Sequence, residues 1–135
     1  MIRTADLASR LVGIYFEPPF SQADIAGFFH SLRGLFAMRR SLVFCSDLRQ
    51  VSIFPPEISD RLVEMMRDDN PFVERNAVII SSSSIFGLQV ERMLREAGNP
   101  ARRSFRDTSS ALKWLGETLD AGELEAARGF LARGG

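Results

Sequence analysis

Two short apolar runs constrain the fold of this chain more than any other feature. Residues 41–48 (SLVFCSDL) and 76–81 (NAVIIS) are apolar without strict alternation, and apolar residues at helical spacing follow each run. Strands that are buried on both faces of a parallel sheet have continuous apolar sequences of this kind. Parallel strands need a long crossover between them, which is usually a helix. We therefore predict that the two runs are central, parallel strands of an α/β sheet.

A hairpin is predicted at the start of the chain. Residues 2–6 are weakly strand-like, and residues 10–16 (RLVGIYF) are rich in β-branched and aromatic side chains. Residues 7–9 are short enough for a tight turn between them. The sequence Glu17-Pro18-Pro19 ends the second strand, because proline cannot donate a hydrogen bond to a sheet ladder.

Helix start and stop signals separate the remaining strands. Ser21 and Asp24 are spaced as in a capping box, Pro55-Pro56 suits a first helical turn, and Gly98-Asn99-Pro100 is a stop signal. Residues 102–106 form a short polar edge strand in this prediction. The predicted fold class is α/β, with the order ββαβαβαβα, one mostly parallel sheet of about five strands, the hairpin and flanking helices.

Domain organisation follows from length and apolar patterning. The chain has 135 residues, which suits one domain with a substantial core. We predict a single domain over residues 1–135 with its core at about 11–119. Residues 120–135 are predicted to form a C-terminal helical extension with a frayed tail.

Charge and cysteine content limit the partners and the compartment. The 17 basic and 17 acidic residues balance, which argues against a dedicated binder of nucleic acid or anionic membrane. The lone Cys45 cannot form an internal disulfide, as expected in a reducing compartment. The chain shows no secretion signal and no apolar run long enough for a bilayer. We predict a cytoplasmic protein without membrane insertion.

Catalytic and metal-binding motifs are missing from the sequence. His30 is the single histidine, so metal sites with the usual ligand sets are hard to build. The sequence has no Gly-rich phosphate loop, nucleophile elbow or dinucleotide fingerprint. We predict no cofactor, no metal and no enzyme activity. A polar site of Ser83 or Ser84 with Asp47 and Arg106 is the least favoured alternative, because it lacks an evident general base.

The loops after the strands are the predicted recognition site. In open parallel sheets, ligands bind beyond the carboxyl ends of the strands. Residues 17–21, 47–56 and 81–84 should meet there. An anion or ligand site is expected at the helix start that follows the serine run, where unpaired amides favour negative charge. It comprises Ser82, Ser83, Ser84 and Arg106. Alternatively, one serine merely caps the helix.

The loop before the second long helix carries three apolar residues, which is unusual for a segment that faces water. We predict that this loop contacts a protein partner; the alternative is that its apolar side chains pack under the helix as core. The predicted partner-binding residues are Asp47, Arg49, Val51, Ser52, Ile53, Phe54 and Glu57. A homodimer through helix faces such as Met65-Met66 or Phe130-Leu131 stays open.

The chain resembles the STAS-like (anti-sigma-factor-antagonist-like) domains, in particular divergent bacterial members. The resemblance rests on residues 42–49 (LVFCSDLR), 76–80 (NAVII), 105–107 (FRD) and 111–115 (ALKWL), and with the element order it covers residues 11–119. Each motif is loose, and the likeness lies in their order and spacing. It implies a non-enzymatic, regulatory protein–protein interaction module of a bacterial signalling pathway.

The resemblance also implies a phosphorylation switch that this chain does not match. In phospho-regulated members, a serine at the start of the helix after the Asp-Leu strand accepts phosphate. Here that place falls near Pro55, Pro56 and Glu57, and no serine occupies it. We therefore predict a module without this switch, with Glu57 as a fixed charge or Ser52 or Ser59 as alternative modification sites.

A small-ligand binder is the alternative function. Some STAS-like domains are grouped with lipid-carrier folds and others bind nucleotides, so the resemblance allows either ligand. Phe28, Phe29 and Phe36 of the first helix could line a lipid pocket. The competing interpretation is that this aromatic stripe is ordinary core packing.

Overall fold

The computed structural model describes residues 1–39, 41–82 and 84–134, and it contains a five-stranded sheet with helices on both faces. The elements in chain order are β1 (Ile2–Asp6), β2 (Leu11–Phe16), α1 (Gln22–Met38), β3 (Leu42–Leu48), α2 (Pro56–Asp69), a 3-10 turn (Asn70–Phe72), β4 (Val73–Ile80), α3 (Ser84–Ala97), β5 (Arg102–Phe105), α4 (Thr108–Leu115) and α5 (Ala121–Ala132). The predicted α/β class and element order are confirmed.

The strands lie in the sheet in the order in which they occur in the chain. The β1–β2 pair is antiparallel, which confirms the hairpin, and the other neighbouring pairs are parallel. The two apolar runs are adjacent in β3 and β4, with Phe44 opposite Asn76. Strand β4 begins at Val73 rather than at residue 76, because the 3-10 turn delivers the chain directly into the ladder beside Leu42.

This strand order determines where the helices lie. Crossovers between parallel strands have one hand, so crossovers that all step the same way across a sheet place their helices on the same face. Accordingly, α1, α2 and α3 form the first core layer with one face of the sheet. The opposite face would be left in water, and α4 and α5 cover it as the second core layer.

Helix α5 belongs to the core, which therefore extends beyond residue 119. Phe130 is buried against β2, where the Phe130 ring fills the place that a side chain on Gly13 would need. The start of α5 is tied to the strands by the Arg10–Glu123 ion pair at 2.9 Å. Its end is tied by Arg49, which donates to the Leu131 carbonyl at 2.7 Å. The predicted terminal extension is a helix, as expected, but it is an integral layer of the fold.

Local signals at helix ends behave as their sequences predict. Ser21 and Asp24 form a reciprocal capping box at the start of α1. Gly98 follows the end of α3 with a φ of +75°, a backbone conformation that favours glycine. No helix in the described part of the chain is both long enough and apolar enough to span a bilayer.

Candidate functional site

The loops that follow β2 and β3 meet the first turn of α3 around one aromatic ring. Phe54, in the loop after β3, packs against Phe16 at the end of β2, Phe20 in the next loop, and Phe86 in α3. The ring centroids lie 5.8, 5.6 and 5.6 Å from that of Phe54. This arrangement confirms that the predicted loops 17–21 and 47–56 meet, and their contact with the third segment is made by Phe86 of α3, just after residues 81–84.

Hydrogen bonds fix the loop after β3 against α3. The Gln89 side chain accepts from the Phe54 amide and donates to the Phe54 carbonyl, both at 2.9 Å. Val51 and Phe54 are each only 1% exposed. Their assignment to a partner-binding surface is therefore wrong, and the alternative that they pack as core is confirmed. A side chain that is buried in this way cannot contact a partner unless the loop unfolds.

Large apolar side chains exposed at this end of the sheet include Met1, beside Glu17 and Pro19, and three others that we call the rim patch: Ile53, Ile85 and Leu88. Ile53 is 56% exposed, and Ile85 and Leu88 are each 69% exposed. Ile85 and Leu88 lie one turn apart on the same face of α3. The side chain of Gln89, one turn after Ile85, is hydrogen-bonded to the backbone of Phe54, the residue that follows Ile53. The sequence analysis included Ile53 and missed the two α3 residues.

The Asp47–Arg49 pair faces the other layer. Asp47 is 1% exposed, and its carboxylate accepts from the Arg49 Nε at 2.9 Å and Nη2 at 2.8 Å. The same Nη2 reaches the Leu131 carbonyl of α5. Their placement in a partner-binding surface is therefore not supported by their contacts, since this pair joins β3 to α5.

The remaining predicted partner-binding residues lie near the start of α2. Ser52 and Glu57 are exposed, and Glu57 is in the first helical turn, where a carboxylate suits the helix dipole. Ser59 is 1% exposed, and its hydroxyl has no hydrogen-bond partner among the described residues. The alternative of Ser59 as a modification site is wrong for the folded state, because a kinase cannot reach it.

The predicted anion site is only partly described. Ser82 is exposed, Ser83 lies outside the described residues, and Ser84 begins α3. Arg106 comes from the loop after β5, and its guanidinium occupies the space beside Gly87 in the first turn of α3. The structure thus brings Arg106 to the helix start as expected, and anion binding there stays a prediction.

The lone cysteine and the lone histidine behave as ordinary structural residues. Cys45 is fully buried in β3, and burial raises the pKa of its thiol to about 12, far from a reactive thiolate. His30 is exposed on α1. Within residues 1–39, 41–82 and 84–134, no cluster of His, Cys, Asp or Glu could hold a metal ion.

An inner cavity of about 70 Å³ lies between the sheet and helices α1, α2 and α3. Most of its wall is apolar. Phe28 and Phe36 of α1 line it, as the lipid-pocket alternative requires, whereas Phe29 lies outside it. From α2 and α3 the wall includes Leu62, Met65, Met66, Val90, Met93 and Leu94.

An outer groove of about 440 Å³ runs between α1 and α2 on the surface. Leu32, Phe36, Met65 and Asp69 line both the groove and the inner cavity. These four side chains therefore lie between the cavity and the groove. Phe72, which is 43% exposed, adds to the apolar residues of the groove, and the charged residues Arg33, Arg61, Glu64 and Asp68 line it as well.

A polar strip crosses the sheet face beneath the cavity and consists of Ser46, Asn76 and Arg102. The Ser46 hydroxyl donates to Asn76 Oδ1 at 2.9 Å, and Asn76 is the register partner of Arg102. All three side chains line the inner cavity and are buried. The sequence analysis missed them. Part of the signal was present, because Ser46 lies between Phe44 and Leu48 on one face of β3.

Asp69 stands where the cavity meets the groove. It is half-buried at the end of α2, and burial raises its pKa to about 6, with Arg102 opposing and Asp68 adding to the rise. A carboxylate at a helix C-terminus is also unfavourable with the helix dipole.

Replacing Asp69 with asparagine is therefore expected to stabilise the protein at pH 8. The pKa of Asp69 is higher in the folded protein than in the unfolded chain. Its contribution to stability is therefore complete below the unfolded value of 3.8 and is lost as the pH rises through about 6. The expected gain is roughly 1–2 kcal/mol at pH 8 and close to zero at pH 4. Denaturant unfolding of Asp69→Asn at both pH values checks this. The exposed neighbour Asp68→Asn is the control, and an equal gain there would contradict the assignment.

Comparison with family models, with curated proteins and with solved structures found no match. The resemblance to STAS-like domains therefore stays a prediction.

Proposed function

We propose that the protein is a regulatory protein–protein interaction module that binds its partner through the rim patch. The observation that carries the proposal is the exposure of Ile85 and Leu88, 69% each, on a helix whose other face is fixed in the core. Apolar side chains clustered on the surface of a folded domain are typical of binding sites. Ile53 extends the patch from the neighbouring loop.

The support beneath the patch suits recognition of a folded partner. The Phe54 ring is enclosed by other aromatic rings, and the Gln89 amide holds the loop at both its amide and its carbonyl. A surface held in this way loses little conformational entropy on binding, so more of the contact energy appears as affinity. Polar Ser52 and Glu57 lie exposed along the same loop and helix start, where a polar edge is expected around an apolar centre.

The module works in this proposal without the phosphoserine switch of the STAS-like family. Pro56 and Glu57 open α2 where that serine would stand, and Ser59 is buried. Glu57 supplies a constant negative charge at this place, smaller than the roughly −1.5 to −2 of a phosphate. We further propose a bacterial cytoplasmic setting, which the buried, unpaired thiol of Cys45 suits.

Affinity capture with matched surface variants tests the proposal. The wild-type chain, the double variant Ile53→Asp/Leu88→Asp and the control Met38→Asp are immobilised and exposed to lysate of the source cells. Met38 is 81% exposed at the far end of α1, so it matches the chemistry without touching the rim patch. We expect a protein that is recovered by the wild type and by Met38→Asp and is lost with the double variant. Equal recovery by all three folded proteins would contradict the proposal.

Sedimentation of the purified chain separates self-association from partner binding. If the wild type is a dimer and the double variant is a monomer, the rim patch binds a second copy instead of a different protein. We expect a monomer in both cases, because the proposal assigns the rim patch to a different protein.

A further inference from the structure

The polar strip is costly for a structural core. Polar groups are buried in a core at a free-energy cost unless hydrogen bonds replace those lost from water. Ser46 and Asn76 lie on a mostly apolar sheet face, and the Ser46 hydroxyl donates to Asn76 Oδ1 at 2.9 Å across neighbouring strands. Apolar residues at these positions would pack the same layer without that cost. Their placement around the cavity makes them the polar groups that a bound molecule would meet there.

Arg102 adds a buried positive charge to this site. Its side chain is held by neutral acceptors, with Nε donating to Asn70 Oδ1 at 2.9 Å and Nη2 to the Met66 carbonyl at 3.2 Å. Among the described residues, no carboxylate forms an ion pair with it. Burial lowers the pKa of Arg102 to about 10, so it stays charged at neutral pH. Buried charges in proteins are normally paired. The charge of Asp69 acts on Arg102 without a direct ion pair, and the cavity lies beside the guanidinium.

The geometry points to a single-chain carboxylate as the occupant, and we propose that the inner cavity and the outer groove form one binding site for such an amphiphile. The carboxylate pairs with Arg102, and the apolar chain leaves past Phe36 and Met65 into the groove. The cavity of about 70 Å³ holds only a group of a few heavy atoms. The groove of about 440 Å³ accommodates the chain along Phe29 and Phe72, and half of its lining residues are charged, among them Arg61 over the Phe29 ring.

Asp69 at the junction modulates this site. The charged groups that act on Asp69 are Arg102 from β5, Asp68 from α2 and Arg33 from α1. When ionised, Asp69 repels a bound carboxylate. When protonated, which its pKa of about 6 makes accessible, it can donate a hydrogen bond to that carboxylate. Binding should therefore be tighter at pH 5.5 than at pH 8, and the Asp69→Asn variant should lose this dependence.

Calorimetric titration with decanoate and with the uncharged decan-1-ol tests the proposal on the intact chain. We expect decanoate to bind one per chain, at least about ten-fold more tightly than decan-1-ol, since a buried charge pair contributes more than 1.4 kcal/mol. Arg102→Met should remove that preference. Arg103→Met is the matched control, because Arg103 is the next residue of β5 and stacks on Trp114 on the opposite face.

Two further results make the outcome decisive even if Arg102→Met does not fold. Met65→Trp places a larger side chain at the half-buried mouth and should abolish decanoate binding while circular dichroism stays native. Equal affinity for decanoate and decan-1-ol would overturn the assignment of Arg102 as the carboxylate partner. Absence of wild-type binding at about 1 mM decanoate would overturn the whole site. Neither result bears on the rim patch, so the two proposals fail separately.

Discussion

Replacing Phe54 with alanine is expected to lower the free energy of unfolding by about 3–5 kcal/mol. The ring is 1% exposed and contacts Phe16, Phe20 and Phe86, which come from three different segments. Its removal leaves a void where the loops meet, and the surrounding segments can close it only partly because the sheet and α3 hold them in place. Favourable edge-to-face contacts with Phe16 and Phe86 are lost in addition to the buried area.

The neighbouring residue provides the control for this prediction. Ile53 is 56% exposed, so Ile53→Ala should change stability by no more than about 0.5 kcal/mol. Urea unfolding of the wild type and both variants, followed by circular dichroism, gives the two differences directly. A cost below about 1 kcal/mol for Phe54→Ala would mean that the loop is not fixed in the core as described.

The loop after β3 shows where sequence reasoning reaches its limit. Its apolar residues identify a segment that does not simply face water, and they leave surface and core as equal alternatives. What separates Ile53 from Phe54 is the direction of each side chain, which depends on loop geometry and on the Gln89 hydrogen bonds. Gln89 lies 35 residues away in the chain, and no local pattern connects it to the loop.

The sheet could be predicted more completely than the loop after β3. Apolar runs, proline stops and capping signals are local, and they were sufficient for the hairpin and for the parallel β3–β4 pair. Only part of the lining of the inner cavity could be predicted from the sequence. Phe28 and Phe36 follow from helical spacing, but the polar strip requires knowing which face of each strand the helices cover. Once it is known which strand positions face the helices, the polar residues of a mostly apolar layer can be identified as Ser46, Asn76 and Arg102.

The C-terminal helix was the main underestimate, and its reason is topological. Residues 121–132 have a weak apolar stripe, which by itself indicates a marginal amphipathic helix. The need for α5 comes from the sheet order, because three same-handed crossovers leave one sheet face uncovered. A polar connection from that face, the Asp47–Arg49 pair, anchors the end of α5.

Replacing Arg49 with methionine is expected to cost about 3–5 kcal/mol. Asp47 is 1% exposed, so the substitution leaves its carboxylate buried without a cationic partner. Helix α5 also loses the hydrogen bond to the Leu131 carbonyl. The double variant Asp47→Leu/Arg49→Met should be more stable than Arg49→Met alone, because an apolar pair removes the uncompensated charge.

Arg128→Met is the control for the charge itself. Arg128 forms a surface ion pair with Glu125 in the same helix at 2.7 Å and is 52% exposed, so its loss should cost less than about 1 kcal/mol. Urea unfolding at pH 7 of the four proteins measures the differences. If the double variant proves no more stable than Arg49→Met, the cost arises from the lost α5 contact and not from the buried charge of Asp47. In that case the anchoring of α5 by Arg49, rather than electrostatic compensation within β3, is what completes the second layer.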